Sequence, residues 1–234
     1  RRLLLGARQK DVDHFLRLGG VPGHRAALEQ RAPVAVHQLA QIMKNTVQRS
    51  VDVASGGAVV VHYSTHPDGA EAVCDDIRKA GGKAVAMATD MGSEQDISIL
   101  FKKIDEKYGS IDTLVNNAGG IIAVKPIAEI DAATVERVLA VNLAGPIYCC
   151  REAVRRMSTA RGGAGGTILN ISSMAAVLGG LPNEVHYAAS KGGIDSLTIG
   201  LAREVATEGI RVNAIRPGVI DTPIHDDFHG ASFA

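Results

Sequence analysis

Tyr187 and Lys191 stand four residues apart in His186-Tyr187-Ala188-Ala189-Ser190-Lys191. A helix turns such residues onto one face, about one turn apart. A phenol with a pKa of about 10 is a poor acid or base at neutral pH. An ammonium held roughly 4 Å away would favour the phenolate by up to ~4 kcal/mol at an effective dielectric near 20. That corresponds to ~3 pKa units, enough to bring a tyrosine into the working range of a proton donor and acceptor. Y-x-x-x-K by itself is equally compatible with an ordinary helix surface, so the remaining polar residues must decide.

The elements that would position this pair follow from periodicity. The apolar residues at 58–62 form a continuous run of the kind a buried parallel strand shows. Helical spacing is predicted over 68–80, 93–108, 131–157 and 187–207, and strands over 83–88, 111–115, 167–171 and 210–215. Upstream, 33–37 reads as a short strand and 39–55 as a helix. Residues 1–32 show no sustained period and read as an atypical extension, so the domain is expected to span 33–234. Strands alternating with helices mean βαβ units, a parallel sheet and right-handed crossovers.

Composition narrows the classes. Hydrophobic residues make up 46% of the 234, aromatics only 3%, and Trp is absent, so small aliphatic side chains must fill a layered interior. Formal net charge is zero, which argues against nucleic acid as a partner. No apolar run reaches membrane-spanning length, and no secretory signal stands at the start. Cys74, Cys149 and Cys150 are odd in number without metal spacing, as expected of reduced thiols in a cytoplasmic protein. Residues 1–50 carry nine Lys/Arg against three acids, with no Ser before Ser50, a composition break relative to the acidic remainder.

Ligands of open parallel sheets sit beyond the C-terminal strand ends, and polar residues gather there. They are Thr89-Asp90-Met91, Asn116-Asn117-Ala118-Gly119, Ser172-Ser173, and Arg216-Pro217-Gly218 running on through Ile220 to Thr222. Each alone also reads as a cap, a turn or a loop. Together they line one rim beside the Tyr–Lys helix. Within the 131–157 helix, Pro146 lacks an N–H and leaves the carbonyl of Asn142 without its helical partner.

Over 58–222, about 70% of the chain, the sequence resembles the short-chain dehydrogenase/reductase family. The resemblance rests on N-N-A-G at 116–119, Asn142 after Val141, Ser173 fourteen residues before Tyr187, Y-A-A-S-K, and P-G-V-I-D-T at 217–222. Extended-type sugar-nucleotide epimerases share the Tyr–Lys pair but lack N-N-A-G. The resemblance implies a Rossmann-type, doubly wound parallel α/β sheet in three αβα layers, and an NAD(P)-dependent oxidoreductase interconverting a hydroxyl and a carbonyl. It implies that Tyr187 exchanges the proton, that Lys191 lowers its pKa and binds the nicotinamide ribose, and that Ser173 holds the substrate carbonyl. Strand alternation favours Ser173 over Ser172 for that role. Asn142 would hold a water linking Lys191 to solvent. Asn116, Ala118 and Gly119 would line the adenosine side, Asp90 and Met91 would contact adenine, and Pro217, Gly218, Ile220 and Thr222 would hold the carboxamide. His62-Tyr63-Ser64-Thr65 offers no acid for a ribose 2′-hydroxyl, which leans toward NADP(H) over NAD(H). The partner would be a small alcohol or carbonyl compound, and the assembly a homodimer or homotetramer through the two long helices.

The family's T-G-x-x-x-G-x-G phosphate loop has no counterpart in place. Gly19-Gly20-Val21-Pro22-Gly23 lies 39 residues before Ala58, and the better-spaced turn at His37-Gln38 has no glycine. The chain also reaches Ala234 soon after the last motif. An out-of-family segment joined near residue 50, and a sheet incomplete at its first and last strands, are therefore expected. The alternative function is a catalytically silent relative that only associates with other subunits.

Overall fold

The computed structural model describes residues 2–6, 57–65 and 67–218. Six strands form one sheet: β1 (Arg2–Gly6), β2 (Ala58–Tyr63), β3 (Lys83–Ala88), β4 (Thr113–Asn116), β5 (Gly166–Ile171) and β6 (Ile210–Ile215). All neighbours are parallel, and the order is β3-β2-β1-β4-β5-β6. The strand order reverses between β1 and β4, which is where an open α/β sheet opens a ligand crevice.

The centre of the sheet is filled from the start of the chain. Arg2–Gly6 pairs with β2 from Arg2↔Ala58 to Gly6↔His62, and with β4 from Leu3↔Thr113 to Leu5↔Val115. The first strand is thus present, and the sheet begins before residue 33. Its five residues are too few to show a period, which is why the sequence pattern passes over them. The strand expected at 33–37, the helix at 39–55 and both candidate phosphate-loop turns lie outside the described residues.

β2 explains why its sequence is apolar without alternation. Val60 joins the core shared by Ile97, Leu100, Phe101, Ile104, Cys149, Ala153, Met157 and Ile168. Val59 and Val61 point the other way, into a cluster with Ala70, Cys74 and Val115. A strand buried on both faces has no solvent side to alternate with.

Helices α1 (Pro67–Lys79) and α2 (Glu94–Tyr108) follow β2 and β3. Ser93 caps α2 by accepting from the Asp96 N–H, and Gly109 closes it at φ +80°. Asp131 caps α3 (Ala132–Leu139) by accepting from the Thr134 N–H at 2.7 Å. Lys125 donates to the same carboxylate and holds it well below the usual range.

The single helix expected over 131–157 is broken. A π-helical turn, Ala140–Ala144, separates α3 from α4 (Gly145–Met157), with Pro146 in the first turn of α4. Pro146 withholds the N–H that would continue the α-helical ladder, and its place at a helix start fits that deficit. Gly145 is required here by close approach, since a Cβ would stand 2.2 Å from the Met91 carbonyl oxygen. A short helix, α5 (Ala175–Leu178), precedes α6 (Val185–Glu204). No helix among the described residues is long and apolar enough to cross a membrane.

Candidate active site

Tyr187 and Lys191 occupy the first two turns of α6, and Lys191 sits at the C-terminal end of β5. Lys191 is 6% exposed. Its Nζ donates to the Ile171 carbonyl at 2.8 Å and stands over the Tyr187 ring, 5.8 Å from the centroid. Burial pushes this ammonium down to about 8, opposed by the negative charge of Asp195.

Tyr187 behaves differently from the sequence expectation. Burial raises its pKa, and the carboxylate of Glu184 adds to the rise, while a hydrogen bond with Ser173 counteracts it. Lys191 Nζ is engaged with the Ile171 carbonyl of β5.

The two serines after β5 divide as strand alternation requires. Ser172 is buried and donates to the Lys191 carbonyl at 3.3 Å. Ser173 is half-buried, accepts from the Ala175 N–H at 3.1 Å and bonds the Tyr187 side chain. Of these two serines, Ser173 is the one that bonds the Tyr187 side chain.

Asn142, 1% exposed, lies in the π turn. Its Nδ2 donates to the Gly120 carbonyl at 2.9 Å and to Ser190 Oγ at 3.2 Å, and its Oδ1 accepts from the Gly120 N–H at 3.1 Å. The side chain thus fixes the Gly119-Gly120 backbone against α6. Gly119 has φ +148°, and a Cβ there would stand 2.8 Å from Asn142 Oδ1 and 3.8 Å from Lys191 Nζ. The glycine keeps open the space in front of the ammonium.

On the far side of the crevice, His62, Met91, Asn117, Ala118, Val141, Pro146 and Cys149 surround a small pocket. Ala118 and Met91 are therefore brought together as expected. Asp90 is committed elsewhere. Both its oxygens take Arg137 at 3.0 Å, and Oδ1 also accepts from the Gly92 N–H at 2.8 Å. Arg137 holds the Asp90 carboxyl below its ordinary value. Asn116 is committed as well, its Nδ2 donating to Asn170 Oδ1 at 2.9 Å and contacting Cys150 Sγ at 3.3 Å. What Asn116 offers the crevice is backbone.

Pro217 and Gly218 follow β6, and the Pro217 carbonyl accepts from the Met174 N–H at 2.8 Å, which ties the β6 exit to the segment after Ser173. Ile220 and Thr222 lie outside the described residues. Several supporting residues have no motif in the sequence. His186 donates from Nε2 to the Ala123 carbonyl at 3.0 Å, and Asn170 donates to Thr198 at 2.9 Å. His62 donates to the Thr89 carbonyl at 2.8 Å, and burial lowers its pKa. Their signal was polarity at positions the strand and helix patterns make internal. The three cysteines are free and buried, and burial raises their pKa values, that of Cys74 to about 11. Among the described residues no His/Cys/Asp/Glu group could hold a metal ion.

A parallel sheet with a Tyr, Lys, Ser and Asn constellation at one rim defines a class of enzyme. The family model for short chain dehydrogenase matches residues 43–230, and the chain belongs to this family of oxidoreductases. It is similar to the uncharacterized oxidoreductase YgfF of Escherichia coli, 44% identical over 170 residues covering 73% of this chain and 69% of that protein. A 3beta-hydroxysteroid dehydrogenase of Mediterraneibacter gnavus is 37% identical over 175 residues, covering 75% of this chain and 62% of that protein. The crystal structure of a dehydrogenase/reductase from Sinorhizobium meliloti superposes with a TM-score of 0.70 at 29% identity. That superposition covers 96% of this chain and 74% of the other.

Proposed function

We propose that this chain interconverts a carbonyl and a hydroxyl with a nicotinamide dinucleotide, Tyr187 moving the proton. The observation that carries this reading is the Ser173–Tyr187–Lys191 cluster facing the open backbone of Gly119. The dinucleotide suits the described part of the crevice. The small pocket lined by His62, Met91 and Ala118 is mostly apolar, the kind of surface an adenine ring packs against. The space that Gly119 leaves before Lys191 Nζ suits a ribose. When bound, the nicotinamide supplies or accepts the hydride.

In the reductive direction, Tyr187 gives its phenolic proton to the substrate oxygen as the carbonyl π bond breaks and the carbon gains the hydride. Ser173 donates to the same oxygen and orients it. A phenol whose pKa is raised is protonated at neutral pH, the form that carbonyl reduction requires. Lys191 contributes a positive charge near the reacting oxygen, and Asn142 braces the Gly119-Gly120 backbone against which the ribose would lie. Asp90 and Asn116 act through the scaffold, since their side chains are already bonded.

The segment His62-Tyr63-Ser64-Thr65 carries no acid, which supports NADP(H) over NAD(H) as the better cofactor. The substrate is a small alcohol or carbonyl compound, and three buried reduced thiols suit a cytoplasmic setting. A homodimer or homotetramer would form through α4 and α6, which leave Ile147 and Ile199 exposed; the mass of the purified chain by light scattering checks this.

The pH dependence tests the site. For carbonyl reduction, kcat/KM is expected to fall as pH rises through about 8, where Lys191 loses its charge. Tyr187 remains protonated across that range. Folding stability moves the other way. Between about 8 and the ordinary lysine value of 10.5 the unfolded chain binds the extra proton, so stability rises with pH there. The cost of burying the ammonium is fully present below about 8. A kcat/KM that stays flat through this range would remove Lys191 from the mechanism.

A further inference from the structure

Asp195 stands four residues beyond Lys191, as Lys191 stands four beyond Tyr187. The three side chains therefore follow one another along a single stripe of α6. The Asp195 side chain is 14% exposed. Oδ2 accepts from Arg216 Nε at 2.8 Å, and Oδ1 is buried with no hydrogen-bond partner.

Arg216 is the first residue after β6, directly before Pro217. The Ile215 carbonyl accepts from the Ser172 N–H at 2.8 Å, and the Pro217 carbonyl accepts from the Met174 N–H at 2.8 Å. The Asp195–Arg216 bond therefore joins α6 to the exit of β6, which is hydrogen-bonded in turn to the segment that carries Ser173. Three elements of the site meet at this one ion pair.

As a stability device the pair is poor. The Arg216 side chain is 46% exposed, and ion pairs open to solvent contribute little. A carboxylate oxygen buried without a partner is a cost. What compensates is a second cation, because Asp195 follows the buried ammonium of Lys191 by one turn on the same stripe of α6. Burial disfavours that ammonium, and Asp195 is the acid that opposes the effect. The other ionisable groups near it are Tyr187 on its own helix, Glu184 at the start of α6 acting on Tyr187, and Arg216 from β6. β5 and the 119–120 backbone present carbonyls and amides.

We propose that Asp195 and Arg216 are positioning residues of the proton-transfer site. Asp195, tethered by Arg216 to the end of β6, is the fixed counter-charge that keeps Lys191 an ammonium and holds it in register with the Ser173 rim. This rests on the reading of Tyr187 and Lys191 as the proton-transfer pair.

The test is an NMR titration of the whole chain with lysine labelled at 13Cε, the Lys191 signal being the one that disappears in Lys191→Arg. In Asp195→Asn its midpoint is expected about one pH unit lower. In Arg216→Gln, which removes a competing cation, it is expected to move upward, and Asp195→Glu should restore most of the original value. An unchanged midpoint in Asp195→Asn, or a downward move in Arg216→Gln, would overturn the proposal. Should Asp195→Asn not fold, Arg216→Gln still decides by the direction of its shift. The midpoint is read without turnover. A failed oxidoreductase reading would show itself separately, as no carbonyl-dependent NADPH oxidation with these shifts intact.

Discussion

Replacing Tyr187 with phenylalanine is expected to lower carbonyl-dependent NADPH oxidation by about 10²–10⁴-fold, the contribution of a positioned general acid. Nucleotide binding should change by no more than a few fold. The substitution deletes one oxygen and keeps the ring under Lys191 Nζ, so packing at the N-terminal end of α6 is retained. What disappears is the proton donor and the hydrogen bond with Ser173. Fold and binding should survive while chemistry is lost, a combination that steady-state kinetics and nucleotide titration can separate. Undiminished turnover in the variant would refute the assigned role.

The largest effect on stability is expected at Phe101. This ring on α2 is 0% exposed, packs in the core with Ile97, Leu100, Met157 and Ile168, and carries the Arg156 guanidinium 5.1 Å from its centroid. Arg156 in turn grips Asp105 and Glu152, so the ring sits under an ion-pair lattice that cannot easily collapse into a void. Phe101→Ala should cost about 3–5 kcal/mol, a fall in the thermal midpoint of about 6–20 °C for a domain of this size. Calorimetry or denaturant titration measures it. A loss below about 1 kcal/mol would mean that the α2–α4 layer is not the main core.

Much of the fold was legible because its signals are local. The apolar run at β2, the Ser93 and Asp131 caps, and the glycines at 109 and 209 mark elements by chemistry acting within a few residues. β1 was not legible, since five residues without alternation acquire meaning only between β2 and β4. The break at Ala140–Ala144 was half legible. Pro146 announced a disturbed helix, but the π turn also depends on Gly145 meeting Met91, a contact 54 residues distant in sequence. For the site, Ser173, Tyr187 and Lys191 lie together at the end of β5, with Ser173 hydrogen-bonded to the Tyr187 side chain. The electrostatics were not legible. Whether an ammonium lowers a phenol's pKa depends on what else bonds that ammonium, and the Ile171 carbonyl belongs to another element, β5. The partners of the Asp90 and Asn116 side chains, Arg137 and Asn170, were likewise not legible, since each lies far away in sequence.

The central claim is that the crevice at the β1–β4 switch holds a nicotinamide dinucleotide in front of Tyr187 and Lys191. Titrating the purified chain with NADPH and following nucleotide fluorescence tests it most directly. The account expects saturable binding at one site per chain, displaced by NADP⁺, weaker for NADH, and weakened again in Lys191→Met. A folded chain that shows no saturable binding of either nucleotide would contradict it.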